Sequence, residues 1–288
     1  MESLVSAGWL AAHLDDPDLV VVDCRITMTE QGPAPAHHDY ATAHVPGAVF
    51  ADLVNDLSDT TRPIGFAVPT PGAFCEAMGR LGVGDDSQVV LYDDRMALPG
   101  MTLSSIWAAR VWWMLRWVGF DSAALLDGGF GAWRDGGHPL SSAVETSVTA
   151  TLTPRPRPQL IVGQDEVRAA LGDPEITLVD TLPPASYDGS APSYARPGHI
   201  TGAINLPVFD LYDADGRVLP DEEIARRNAP VEGGRTITYC GGGIAASATA
   251  FALTRIGHGD VAVYTASLQE WAADPGNPMV TGREPGGE

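Results

Sequence analysis

The chain has 288 residues, 44% of them hydrophobic, enough to bury one large core or two ordinary ones. Its formal net charge is −20, with no basic cluster beyond Arg226 and Arg227, so a nucleic-acid backbone or an anionic membrane would be repelled. All 17 basic residues are arginine, and without lysine neither Schiff-base chemistry nor a Walker A phosphate site can operate.

The N-terminal stretch Met1 to Asp16 lacks the basic flank and apolar run of a signal peptide, and no apolar run is long enough to span a bilayer. The expectation is a soluble, cytoplasmic protein. Cys24, Cys75 and Cys240 are too irregularly spaced for a disulfide framework or a zinc site, and no metal or cofactor is expected.

In chain order, short apolar runs at 20–23, 89–92 and 123–126 predict buried parallel strands, with a helical stretch over 104–118. Residues 141–158 are rich in Ser, Thr and Pro without helical period, and predict an extended linker packed across both halves of the chain. Strands follow at 176–180, 236–239 and 261–264, with a helix over 244–256. This alternation predicts α/β units on mainly parallel sheets flanked by helices.

The two halves repeat one another. Val20 to Asp23 matches Thr177 to Asp180, Val89 to Asp93 matches Thr236 to Cys240, and Leu115 to Gly119 matches Leu253 to Gly257. Tyr40 to Ala48 matches Tyr194 to Ala203, which aligns His44 with His199 and Tyr40 with Tyr194. With Ala132-Trp133 matching Glu270-Trp271, five such blocks in one order indicate a duplication, and predict domains at 1–140 and 159–288 joined by the linker 141–158.

The chemistry concentrates after the strand that ends at Tyr239. Cys240 runs into Gly241, Gly242, Gly243, Ile244 and Ala245 and then a helix, the place where parallel sheets hold ligands. Consecutive glycines let successive N–H groups turn toward the sulfur beside the positive end of the helix, which stabilises a thiolate and equally an anionic persulfide. The alternative is a small buried thiol on a tight turn. The first copy has Asp93 at this position and no glycine run, so one copy reads as degenerate and the other as retained.

Several motifs together resemble the tandem rhodanese family of thiosulfate and 3-mercaptopyruvate sulfurtransferases. They are the strand-ending Asp23 and Asp180, the segments His44 to Ala48 and His199 to Ala203, Arg110 to Trp113, Leu126 to Gly129, and the single Cys loop. The resemblance implies two rhodanese-like domains with the active site in the cleft between them. It implies Cys240 as the persulfide-forming nucleophile and the backbone of Gly241 to Ala245 as the anion-binding loop. A small anionic sulfur donor would charge Cys240, and cyanide, a thiol or a thioredoxin-like protein would discharge it.

The loop is nearer the neutral pattern of mercaptopyruvate enzymes, but Gly242 and Ala245 replace its two hydroxyl residues, and Val54 and Phe66 stand where those enzymes have an Asp and a His. Tyr187-Asp188-Gly189 replaces the family's substrate-binding Phe-Arg-Gly, leaving Arg196 as the candidate for gripping an anionic substrate, or alternatively as an ion-pairing residue. His44 and His199, duplicated in an active and a degenerate copy, are expected to build turns. Trp107, Trp112, Trp113 and Trp117 are expected in the core. A phosphatase loop would need an arginine where Ala246 stands; a rhodanese-like carrier or binding module without turnover is the competing reading.

Overall fold

The computed structural model describes residues 1–98, 101–231 and 234–287, and divides the chain into two units. The first comprises Met1–Arg157 and Asp213–Val218, the second Pro158–Tyr212 and Leu219–Glu288.

In the first unit, β1 (Leu4–Val5), β2 (Leu19–Asp23), β3 (Val49–Phe50), β4 (Gln88–Tyr92) and β5 (Ala123–Leu126) form a sheet of order β1-β5-β4-β2-β3, parallel throughout. In the second, β6 (Ile161–Val162), β7 (Ile176–Asp180), β8 (Ile204–Asn205), β9 (Arg235–Tyr239) and β10 (Val261–Tyr264) repeat that order as β6-β10-β9-β7-β8, again all parallel. Central strands such as β4, β5 and β10 are almost wholly buried, as the unbroken apolar runs require when helices cover both faces.

The cores are twins. Trp133 in the first unit and Trp271 in the second are completely buried, and each indole N–H donates to a carbonyl, of Pro139 at 2.7 Å and Pro278 at 3.1 Å. His44 and His199 are both fully buried, with Nδ1 against Tyr40 O at 2.7 Å and Tyr187 O at 2.9 Å. The four tryptophans of the 104–118 stretch lie on the helix α1 (Ile106–Trp117) and are buried.

The tyrosine pairing differs from the one read in the sequence. Tyr40 stacks on His44 and donates to Ala48 O at 2.7 Å; in the second unit it is Tyr187 that stacks on His199 and donates to Ala203 O at 2.6 Å. Tyr187 is therefore the counterpart of Tyr40, and Tyr194 lies in a loop the first copy does not have.

The 141–157 stretch has no helix and lies along the first unit as a strap. Ala150 N donates to Gly79 O, Thr153 N to Asp85, and Arg155 and Arg157 N to the carbonyls of Val118 and Trp117. These bonds satisfy backbone groups that a free linker would leave to water.

Candidate active site

Strand β9 delivers Cys240 from the middle of the second sheet, where Thr236, Ile237, Thr238 and Tyr239 are all buried. The thiol is 3% exposed. Its sulfur accepts the N–H of Gly243 at 3.1 Å, and Gly243, with φ +83°, caps the helix α2 (Ile244–Arg255). Ser247 Oγ ties the first turn of that helix to Gly243 O at 2.7 Å.

The three glycines have separate reasons. Only Gly243 takes a left-handed backbone. At Gly241 a Cβ would lie 1.7 Å from the Tyr194 hydroxyl oxygen, so no side chain fits. Gly242 is outside the left-handed region and is partly exposed.

A second turn braces the loop from below. Cys240 N donates to Ser267 Oγ at 3.1 Å, and that hydroxyl donates to Tyr264 O at 2.7 Å. Leu268 N and Gln269 N donate to the carbonyls of Cys240 and Gly241. Ser267 holds φ +52°, a strained value for a residue with a side chain, and its hydroxyl bonds offset the cost.

The first unit shows the same loop with its ligand built in. Asp93, completely buried, accepts the N–H of Ser105 on one carboxyl oxygen and those of Trp107 at 2.7 Å and Ala108 at 3.1 Å on the other. Ser105 has φ +62° at the start of α1, as Gly243 has before α2. Gly129, φ +58°, takes the place of Ser267. Phe130 N donates to Asp93 O at 2.7 Å just as Leu268 N donates to Cys240 O at 3.1 Å. Asp93 is separated from its capping residue by the hairpin of Met96–Leu98 and Met101–Leu103, whereas Cys240 reaches Gly243 directly. Burial pushes the Asp93 carboxyl up to about 7, against the lowering effect of its three amide donors.

Beneath each loop lies a buried aspartate with a different fate. Asp23 is held by Arg25 through Nε and Nη2, at 2.9 and 2.6 Å, and by the Tyr92 hydroxyl at 2.7 Å. In the second unit Leu182 replaces that arginine. Asp180 Oδ1 accepts Leu182 N at 2.9 Å, but Oδ2 is buried without a hydrogen-bond partner, the Tyr239 hydroxyl facing it without closing a bond. Burial raises this carboxyl to about 7.

Arg196, the sequence's candidate for an anionic substrate, has its guanidinium occupied. Nε donates to Ala272 O at 3.0 Å, Nη1 to Asn277 O at 2.8 Å, and Nη2 to Trp271 O at 3.1 Å and Asp274 O at 2.7 Å. Four carbonyls in and after the helix α3 (Ser267–Trp271) thus take four of its five N–H donors, which makes the residue a clamp on that segment. Val54 and Phe66 line a pocket of about 220 Å³ in the first unit with Pro33, Ser58 and Ile64. Phe66 (φ +57°) packs on Trp107, and its carbonyl accepts Arg110 Nη2 at 2.9 Å. Cys24 and Cys75 are buried thiols, both pushed up by desolvation first, which disfavours the thiolate at either.

Sequence reasoning missed Tyr194 and Ser267. Nothing local marks Tyr194, but the match of Gly129 to Ser267 across the repeat could have flagged the second, since both stand at the same turn. Among the described residues no group of acidic, histidine and cysteine side chains could hold a metal ion.

Two parallel-sheet units of identical strand order, one with a cysteine and the other with a carboxylate in the corresponding loop after the central strand, define a tandem α/β protein. A model of the rhodanese-like domain matches residues 6–135 and 163–274, and the chain belongs to the rhodanese family. It is 36% identical to a probable 3-mercaptopyruvate sulfurtransferase of Pseudomonas aeruginosa, over 97% of this chain and 98% of that one. It is 32% identical to the thiosulfate sulfurtransferase of Mus musculus, over 93% of this chain and 91% of the other. The crystal structure of SseA, a 3-mercaptopyruvate sulfotransferase from Escherichia coli, matches with a TM-score of 0.80 at 28% identity, covering 93% of this chain and 99% of that one.

Proposed function

We propose that this chain is a sulfurtransferase in which the Cys240 thiolate takes sulfane sulfur from thiosulfate or 3-mercaptopyruvate and passes it to a thiophilic acceptor such as cyanide, a small thiol or a thioredoxin-like protein. The observation that carries this reading is the Gly243 N–H directed at Sγ from 3.1 Å, at the mouth of a twelve-residue helix. Oriented amides and the helix end stabilise a thiolate and the persulfide that follows it. The internal twin supports a finer assignment. Counting from Ser105 and Gly243, the amides of Trp107 and Ala108 that hold the Asp93 carboxylate correspond to those of Ala245 and Ala246, which are suited to hold the outer sulfur.

Charging moves no net charge. Thiosulfate gives up its outer sulfur to Cys240, its S–S bond breaks, and the electron pair leaves with sulfite. With 3-mercaptopyruvate the C–S bond breaks and the thiol proton ends on the pyruvate carbon. Each donor is incubated with wild type and Cys240→Ala, cyanide is added, and thiocyanate and intact mass are measured. The expected result is thiocyanate and an added-sulfur mass on wild type only. No persulfide and no thiocyanate from either donor would overturn the proposal. A carrier without turnover would instead give one equivalent of thiocyanate and stop.

A further inference from the structure

The loop between Asp188 and Gly198 has no counterpart in the first unit, and it brings Tyr194 onto the Cys240 loop. The Tyr194 ring packs on the second core, which includes Tyr239, Ile200 and Trp271, while its hydroxyl lies over the Gly241 backbone, leaving no room for a Cβ. That hydroxyl closes no hydrogen bond among the described residues, whereas the hydroxyls of Ser247, Ser267 and Thr238 beside the loop are engaged. Two residues further on, the Arg196 clamp on four carbonyls anchors the segment to the end of α3. The result is a fixed, unengaged donor beside a nucleophile whose own loop lacks side-chain hydroxyls at Gly242 and Ala245.

We propose that the Tyr194 hydroxyl donates a hydrogen bond to the oxygen of the sulfur donor that gains charge as Cys240 attacks: a sulfonate oxygen of departing sulfite, or the enolate oxygen of departing pyruvate. This rests on the sulfurtransferase reading above. No proton is transferred by the phenol, which keeps its hydrogen while the S–S or C–S electron pair leaves with the product. Burial first, then the charges of Cys240 and Asp180, push the phenol up to about 12, so it remains a donor across the neutral range. A neutral donor aimed at developing charge in a partly desolvated site accelerates bond breaking more than it strengthens ground-state binding. Arg196 is then a positioning residue that acts through Tyr194.

The two half-reactions separate this role from packing, because only charging has a departing oxyanion. Tyr194→Phe keeps the ring and removes the hydroxyl. Persulfide formation is followed by stopped flow and intact mass with each donor, and discharge of preloaded protein by cyanide is timed separately. The expected result is charging slowed by roughly 10- to 100-fold, discharge within about twofold of wild type, and an unchanged melting temperature. Slowing with thiosulfate alone or 3-mercaptopyruvate alone identifies which oxygen is served. Wild type that charges with Tyr194→Phe charging equally fast overturns the role of Tyr194 alone, as does equal slowing of both half-reactions. Wild type that never acquires a persulfide overturns the sulfurtransferase reading and this proposal with it.

Discussion

Asp93 Oδ2 accepts the backbone N–H of Trp107 at 2.7 Å, deep in the first unit and at the position that corresponds to the Cys240 loop of the second. The same oxygen takes the N–H of Ala108, and the other takes that of Ser105. The first loop thus encloses an acceptor of its own, the Asp93 carboxyl, where the second encloses the Cys240 sulfur.

Removing the carboxylate therefore orphans three buried amides. Asp93→Ala is expected to lower the unfolding free energy by roughly 1–3 kcal/mol, read from urea denaturation followed by tryptophan fluorescence. Asp93→Asn, which keeps one acceptor oxygen, should lose less. Equal stability of Asp93→Ala and wild type would show that the amides find other partners.

Asp180 predicts a pH-dependent stability. Its carboxyl titrates near 3.8 when unfolded and at about 7 when folded, so the native state holds the proton more tightly. That contribution is fully present below about pH 4, declines as the pH rises toward 7 at no more than about 1.4 kcal/mol per unit, and is gone above 7. Asp180→Asn removes the titration, so wild type should lose stability relative to the variant between pH 4 and 7. Wild-type stability that stays flat or rises with pH relative to Asp180→Asn contradicts a buried carboxyl with Oδ2 left unpaired.

Gly241 and Tyr194 should be energetically coupled. A methyl group at 241 meets the Tyr194 Oη at 1.7 Å and Cζ at 2.7 Å, forcing either the ring or the catalytic backbone to move. Gly241→Ala alone is expected to cost roughly 1–3 kcal/mol and most of the thiocyanate-forming activity. In a Tyr194→Ala background the same substitution should cost markedly less stability. Additive effects in this double-mutant cycle would mean that the two residues do not touch.

Arg196 should behave as a brace. Arg196→Met leaves four carbonyls without their shared donor and is expected to depress the melting temperature by several degrees. Arg196→Lys should recover only part, because an ammonium cannot reproduce a planar fork with donors on three nitrogens. If Arg196→Met instead melts like wild type and raises only the KM for an anionic donor, the residue is a substrate ligand after all.

The three longer strands of each sheet, the helices after Asp93 and Cys240 and the duplication were legible in the chain itself, because buried parallel strands write continuous apolar runs; the two-residue strands β1, β3, β6 and β8 were not, being too short to carry a pattern. Even the turn histidines were readable, since His44 and His199 recur in both copies. What tertiary structure decided were the contacts between segments far apart in sequence. Tyr187, not Tyr194, proved to be the partner of Tyr40, because stacking on a buried histidine depends on where the chain folds back, whereas the sequence match rested on the neighbouring alanine. That Arg196 clamps the carbonyls of Trp271, Ala272, Asp274 and Asn277 could not be read from its place in the sequence. The isolation of Asp180 follows from Leu182 standing where Arg25 stands, a single substitution whose consequence exists only once the carboxyl is buried. Composition and pattern thus determined the longer elements and which cysteine stands between a strand end and a helix; the packing of loops determined which polar groups are left with a donor to offer.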